Sequence, residues 1–160
     1  MIKELLESLK YVGHYFAICF LRVYLGLHIL NLSLAQYYGD HFLEPLLAAQ
    51  INEYLRLGES PAFVEYFFVE VVRPYWKFFS QFQFYFEFIS GLLLILGFLV
   101  RPVVLLFVAY LWLFSYIQDP VLWPWIGILS ATLLALGWAG AGRSVGIDYY
   151  FYKRYRGFLW

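Results

Sequence analysis

The chain has 160 residues, of which 63% are hydrophobic and 24% aromatic, and its mean hydropathy is +0.68. So apolar a composition excludes an ordinary soluble domain and predicts a single integral membrane domain over residues 1–160. The formal net charge is zero, which gives no reason to expect a nucleic-acid partner. The single cysteine, Cys19, excludes an internal disulfide and suggests no metal cluster.

The first predicted element is an amphipathic helix over about the first 14 residues, where apolar and charged side chains recur with helical spacing. The amphipathic spacing leads us to expect a helix that lies on the membrane surface. The long apolar run behind it does not fit a cleavable signal. That run predicts the first spanning helix at residues 15–37, about 23 residues and enough to cross a hydrocarbon core of about 30 Å. The helix carries Arg22 about 12 Å inside the membrane, where a guanidinium needs a partner.

Residues 40–73 differ in character, because they hold six carboxylates and are broken by glycine and proline. Neither half is apolar enough to span a membrane. Their spacing predicts two interfacial helices that form a cap over one face of the bundle. In the second of these helices the apolar side of the amphipathic pattern consists of Phe63, Tyr66, Phe67 and Val71.

The second spanning helix is predicted at residues 75–100. Its polar and small residues share one helical stripe, which consists of Ser80, Gln83, Glu87, Ser90 and Gly91. A carboxylate at the membrane centre costs at least about 2.5–3.5 kcal/mol, so this stripe must face away from lipid. If the first two spans are antiparallel neighbours, Glu87 lies at nearly the depth of Arg22, and the sequence predicts that the two charges meet.

Two shorter spans follow at residues 103–117 and 123–138, and the chain ends in a glycine-containing segment with a basic aromatic tail. Seven lysines and arginines lie in the N-terminus, the loop after the second span and the tail, against three on the other side. Both termini are therefore expected in the cytoplasm and the cap outside it. The predicted fold is an all-α integral membrane four-helix bundle with an amphipathic N-terminal helix and a two-helix extracytoplasmic cap.

Three sequence segments resemble the DoxX/DoxD family of small four-helix membrane proteins: LRVYLG at residues 21–26, FEFISGLLLILGFLVRP at 86–102 and GAGRSVGID at 140–148. The insertion between the first two spans is similar to that of the DoxD branch. This resemblance implies the membrane subunit of a thiosulfate:quinone oxidoreductase in a bacterial or archaeal cytoplasmic membrane, with a quinone and a partner subunit. The residues that match the family's polar positions are Arg22, Glu87, Arg101, Arg143 and Asp148. Where many members close the first span with Gly-x-x-Lys, this chain has Ser33 and Gln36.

Each candidate site residue has a functional and a structural interpretation. Arg22 and Glu87 are the candidate catalytic pair, or else an ion pair that fixes the register of two helices. The candidates for holding a quinone are His28, Asn31, Gln83 and Trp123, which are also suited to hydrogen bonds between helices and, for Trp123, to anchoring in the headgroup layer. The candidates for binding an anion or a lipid phosphate are Arg101, Arg143 and Asp148, which otherwise form a surface salt-bridge cluster.

Two functions follow from these interpretations. The first is a subunit of a redox complex that supplies a quinone-accessible polar pocket, without a metal or haem of its own. The second is a non-catalytic accessory subunit that packs against other membrane protein subunits. A small transporter is disfavoured, because the four spans show no inverted repeat and no broken helix. In each case the chain is surrounded by membrane lipids.

Overall fold

The computed structural model describes residues 2–39, 44–55, 60–143, 146–148, 150 and 154, with backbone only for residues 2–15 and 143. This part of the chain is helical and contains no strand. The α-helices are α1 (Ile2–Tyr38), α2 (Leu46–Tyr54), α3 (Ala62–Tyr66), α4 (Trp76–Leu96), α5 (Val100–Ser115) and α6 (Trp123–Ala139). A π-helix (Phe67–Val72) follows α3 directly, and short 3-10 turns lie at Pro120–Leu122 and Ala141–Arg143.

Among the described residues, three stretches are long and apolar enough to cross a membrane: Phe16–Tyr38, Trp76–Leu96 and Pro120–Ala139. They agree with the first, second and fourth predicted spans to within a few residues. The apolar helix α5 has 16 residues, so it rises about 24 Å along its axis. Its start at Val100 means that Arg101 and Pro102 form its first helical turn, and the prediction that they make a connection between spans is wrong. Proline is tolerated there because first-turn amides have no partner within the helix.

Helix α1 is continuous over 37 residues. The prediction that a separate amphipathic helix precedes the first span is therefore wrong, because one helix covers both segments. No proline stands between the two segments, and a single Gly13 costs only about 1 kcal/mol in a helix interior, which is too little to end the helix.

The second span ends earlier than predicted, at Leu96. Gly97 adopts a left-handed conformation with φ of 66° and closes the helix. The backbone amide of Phe98 then donates to the carbonyl of Leu93 at 3.0 Å, as expected when a left-handed glycine terminates a helix. Residues 98 and 99 form the connection to α5.

Helices α1 and α4 are antiparallel and approach most closely at Gly26 and Gly91. A Cβ atom added to Gly91 would lie 3.0 Å from the carbonyl oxygen of Gly26, and one added to Gly26 would lie 2.8 Å from the side chain of Ile95. Small residues thus allow the two backbones to approach, which is a common way for membrane helices to pack. On the other side α4 contacts α5, which packs against α6.

The segment between α1 and α4 packs onto the bundle through large apolar side chains. Leu47 and Ile51 of α2 are buried, and Phe68 of the π-helix lies edge-on against Phe114 of α5, with 5.7 Å between ring centroids. This contact places the segment at the end of the bundle where α5 finishes and α4 begins.

The side of this segment that is buried against the bundle is offset by about one residue from the apolar stripe seen in the sequence. Phe63 and Tyr66 are 69% and 66% exposed, whereas Val64, Phe68 and Val72 are fully buried. The buried residues recur every four positions, because α3 continues into a π-helix that has more residues per turn than an α-helix.

The close contact of α1 and α4 predicts different effects for two glycine-to-alanine changes. Gly91→Ala should destabilise the protein, because the added methyl group meets backbone atoms, and overpacking of this kind costs about 1–3 kcal/mol. Gly127→Ala in α6 is the control, since nothing lies within 4 Å of a Cβ there. Both changes raise helix propensity equally, so the difference between their thermal unfolding midpoints in detergent reports the packing. Equal midpoints would contradict the close approach.

Candidate functional site

The polar stripe of α4 faces the protein interior, as predicted. Ser80, Gln83, Glu87 and Ser90 are each at most 9% exposed, and Gly91 is also buried. Large apolar side chains such as Phe82 and Ile89 lie on the exposed side of the helix. The prediction that this stripe faces the interior of the bundle is therefore confirmed.

Glu87 is the centre of a hydrogen-bond cluster supplied by three helices. The amide Nε2 of Gln36 on α1 donates to its Oε2 at 2.9 Å. The hydroxyl of Tyr110 on α5 donates to its Oε1 at 2.5 Å, and Nε2 of Gln83, one turn earlier on α4, donates to the same oxygen at 3.5 Å. We call these four residues the Glu87 centre. These hydrogen bonds link α1 and α5 to α4 in the interior of the bundle.

Several acceptors of this region have no partner. The amide oxygens of Gln36 and Gln83 are buried without a hydrogen bond in the described part of the chain. The same is true of the hydroxyl of Ser80, which lies one turn before Gln83 on α4. Leaving a buried polar group unsatisfied costs about 1–3 kcal/mol, so nearly all such groups in folded proteins have a protein or water partner. The two amide oxygens can only accept, so each of them lacks a hydrogen-bond donor, whereas the Ser80 hydroxyl can donate or accept.

Arg22 does not meet Glu87, and the predicted ion pair is wrong. The Arg22 side chain is 1% exposed, and its Nη1 donates to the carbonyl of Ala141 at 2.7 Å. A Cβ atom on Gly97 would lie 2.5 Å from that same nitrogen. Because Gly97 is ten residues beyond Glu87, about 15 Å separates the two sites along the axis of α4. Arg22 and Glu87 do not lie at the same depth, because α4 ends at Leu96 and the antiparallel register places Arg22 opposite that end.

Asp148 is buried at the same end of the bundle as Arg22. Its carboxylate accepts from the backbone amides of Leu99 at 2.7 Å and Val100 at 3.1 Å, so it caps the start of α5. Its own amide donates to the carbonyl of Gly97 at 2.9 Å. A carboxylate at a helix N-terminus satisfies free amides and complements the helix dipole. The prediction of a surface cluster is therefore wrong for Asp148, which is 2% exposed.

The other two residues of that predicted cluster are Arg101 and Arg143. Arg101 is partly buried in the first turn of α5, and the side chain of Arg143 lies outside the described residues. Binding of an anion or a lipid phosphate by these residues stays a prediction.

The predicted quinone-binding residues are not brought together. Gln83 belongs to the Glu87 centre, but His28 and Asn31 are exposed on the outer side of α1. Trp123 is 43% exposed at the start of α6, where its Nε1 donates to the carbonyl of Ser115 at 3.1 Å. Of the predicted catalytic pair and the predicted quinone-binding residues, only Glu87 and Gln83 on α4 lie together.

Gln36 and Tyr110 belong to the Glu87 centre but were not among the predicted site residues. Gln36 was noted only as a departure from a family pattern, and Tyr110 lies in a span with no charged residue after its first turn. A signal was available for both. A tyrosine hydroxyl or a glutamine amide within an apolar helix requires a hydrogen-bond partner, and Glu87 is the carboxylate near the middle of a neighbouring span.

Comparison with family models, with curated proteins and with solved structures finds no match for this chain. The resemblance to DoxX/DoxD proteins therefore depends on the three sequence segments alone.

Loss of the Asp148 cap should destabilise the protein. Asp148→Ala leaves the amides of Leu99 and Val100 unsatisfied in a buried position, which should lower the free energy of unfolding by about 1–3 kcal/mol. Asp119→Ala is the matched control, because that carboxylate caps the amide of Val121 in an exposed turn. Thermal unfolding in detergent measures both effects, and equal losses would argue against the buried cap.

Proposed function

We propose that this chain is an integral membrane protein in which α1, α4, α5 and α6 cross the bilayer as a four-helix bundle. Three of these helices have sufficient length and hydropathy, and α5 is joined to both neighbours by short connections. In this arrangement α2, α3 and the π-helix form the extracytoplasmic cap, and both termini are cytoplasmic. The excess of basic residues on the side of the termini supports this orientation.

The function that the geometry supports best is that of a DoxX/DoxD-like subunit of a quinone-linked redox complex, in which the Glu87 centre binds the quinol head group and exchanges its protons. The observation that carries this proposal is a buried carboxylate with a tyrosine hydroxyl at 2.5 Å, beside buried acceptors that lack donors. The hydroxyl groups of a quinol are donors, and the amide oxygens of Gln36 and Gln83 suit them. The carbonyls of the oxidised form would compete with Glu87 for the donors of the centre.

Quinone and quinol differ by two electrons and two protons, which is the chemistry that this group supplies when bound. Tyr110 and Glu87 form a proton-exchanging pair, since the phenolic hydroxyl and the carboxylate share a short hydrogen bond. The two glutamines orient the carboxylate from α1 and α4. In this proposal the electrons are exchanged with a partner subunit or a sulfur substrate.

The alternative is a non-catalytic accessory subunit, which the surroundings of Arg22 and Asp148 favour. Both residues match polar positions of the family, yet both bind backbone groups at one end of the bundle. If the Glu87 centre likewise serves only to join α1, α4 and α5, the chain would act by packing against a larger membrane complex.

Glu87→Gln separates the two functions. Glutamine has nearly the same size and the amides of Gln36 and Gln83 can rotate to pair with it, so the protein should stay folded. It should bind a short-chain ubiquinol at least about tenfold more weakly, because a hydrogen bond to a charged group is worth about 1.5–3 kcal/mol. Glu70→Gln is the control, since that carboxylate is exposed on the π-helix. Binding is measured on the purified full chain in lipid nanodiscs, from quenching of its aromatic fluorescence.

The wild-type protein should also bind ubiquinol more tightly than ubiquinone. Equal binding by wild type and Glu87→Gln, or no binding of either form, would refute the quinol site. Isolation from native membranes with a fixed stoichiometry of other subunits and no quinone would then favour the accessory function.

The membrane arrangement has its own test. Reporter domains fused to the two ends should both be active on the cytoplasmic side, because four crossings return the chain to the side where it began. A reporter inserted at the exposed Pro61 should be active on the opposite side. Ends on opposite sides would mean that α5 does not cross the bilayer.

A further inference from the structure

Helix α1 presents a continuous exposed seam along its whole apolar length. Its members alternate in steps of four and three residues, and all of them are exposed: Ala17, Leu21, Tyr24, His28, Asn31, Ala35 and Tyr38. We call these seven residues the α1 seam. A repeat of 3.5 residues is the spacing by which two helices stay in contact along their length with a left-handed crossing. No member of the α1 seam carries a permanent charge, because the one arginine of the span, Arg22, points inward and is 1% exposed.

The middle of the α1 seam is polar. His28 and Asn31 lie near the centre of the span Phe16–Tyr38, are exposed, and make no hydrogen bond within the described part of the chain. Polar side chains at this depth normally face the interior of a bundle or another helix, because lipid offers no partner for them. The inward side of α1 is already occupied by its contact with α4, so a second contact is required on the outer side.

We propose that a second copy of this chain packs against the α1 seam, so that the two α1 helices cross at His28 and Asn31. The inference depends on the membrane insertion proposed above and not on the quinol site. Two copies in one membrane have the same orientation, and a two-fold axis along the membrane normal brings each residue to the depth of its own equivalent. His28 then meets His28, and Asn31 meets Asn31.

A second copy suits this surface because the polar groups are self-complementary. An asparagine amide has two donors and an acceptor, and a neutral imidazole has one of each, so each side chain can hydrogen-bond to its own equivalent. An asparagine in such a seam is known to set register and oligomeric state. Ala35, one turn beyond Asn31, leaves room for the helices to approach closely. A charged seam would instead repel its own copy and point to a different partner.

The direct test is the double variant His28→Leu with Asn31→Leu, which replaces both polar groups by side chains that lipid accommodates. The wild type should be a dimer in mild detergent, and the double variant should dissociate with a dimer Kd at least about tenfold higher, as expected for loss of several interhelical hydrogen bonds. Thr132→Val is the control, because this hydroxyl of α6 bonds to the carbonyl of Ile128 in its own helix. Light scattering against protein concentration gives the Kd.

Cross-linking in lipid gives a second measurement that does not depend on detergent. In a Cys19→Ala background, Asn31→Cys and Ala35→Cys should form intermolecular disulfides on mild oxidation, whereas Leu106→Cys, exposed on α5, should not. A monomeric wild type, a dimer that the double variant leaves unchanged, or cross-linking at residue 106 as efficient as at residue 31 would overturn the proposal. So would capture of residue 31 by an unrelated membrane subunit at fixed stoichiometry. None of these readouts involves a quinol, so they fail or succeed separately from the proposed function.

Discussion

The constraint on which this structure depends is that a polar group inside an apolar helix bundle must find its partner within protein. Glu87 illustrates it most directly. Its carboxyl group is hydrogen-bonded to side chains of α1, α4 and α5, so one buried polar group links three helices. The stripe of serine, glutamine and glycine around it turns the same side of α4 inward. Removal of that one carboxylate would leave two glutamines and a tyrosine to be satisfied in the same interior.

The same constraint has a different result at the end of the bundle. Arg22 and Asp148 are as deeply buried as Glu87, yet their polar atoms bind the backbone where helices end and begin. A turn formed by two left-handed residues, Gly97 and Leu99, exposes backbone amides and carbonyls that need such partners. Charges that share one family-like pattern therefore serve two purposes. Arg22 and Asp148 bind backbone groups at this end of the bundle, whereas Glu87 binds side chains from three helices.

His28 and Asn31 are polar residues of α1 that face away from the bundle. Their neighbours on the outer side of α1 are the apolar and aromatic side chains expected against lipid, whereas these two retain donors and acceptors at the centre of the span. In the sequence they looked like lining for an internal pocket, because a polar residue in a membrane helix is normally turned toward its own bundle. Their outward direction is the observation behind the proposed contact with a second copy of the chain.

The sequence by itself determined the helical class, the long apolar spans and the inward stripe of α4, because hydropathy and a period of 3.6 residues are local properties of the chain. It did not determine the rotation of α1 or the register of α1 against α4, and so it paired Arg22 with Glu87 and turned His28 inward. Those features were decided by tertiary packing: the close approach at Gly26 and Gly91 fixes which residues lie opposite each other. If α1 were shifted by ten residues along α4, the hydropathy pattern of each helix would be unchanged. Only the contacts between the two helices distinguish one register from another.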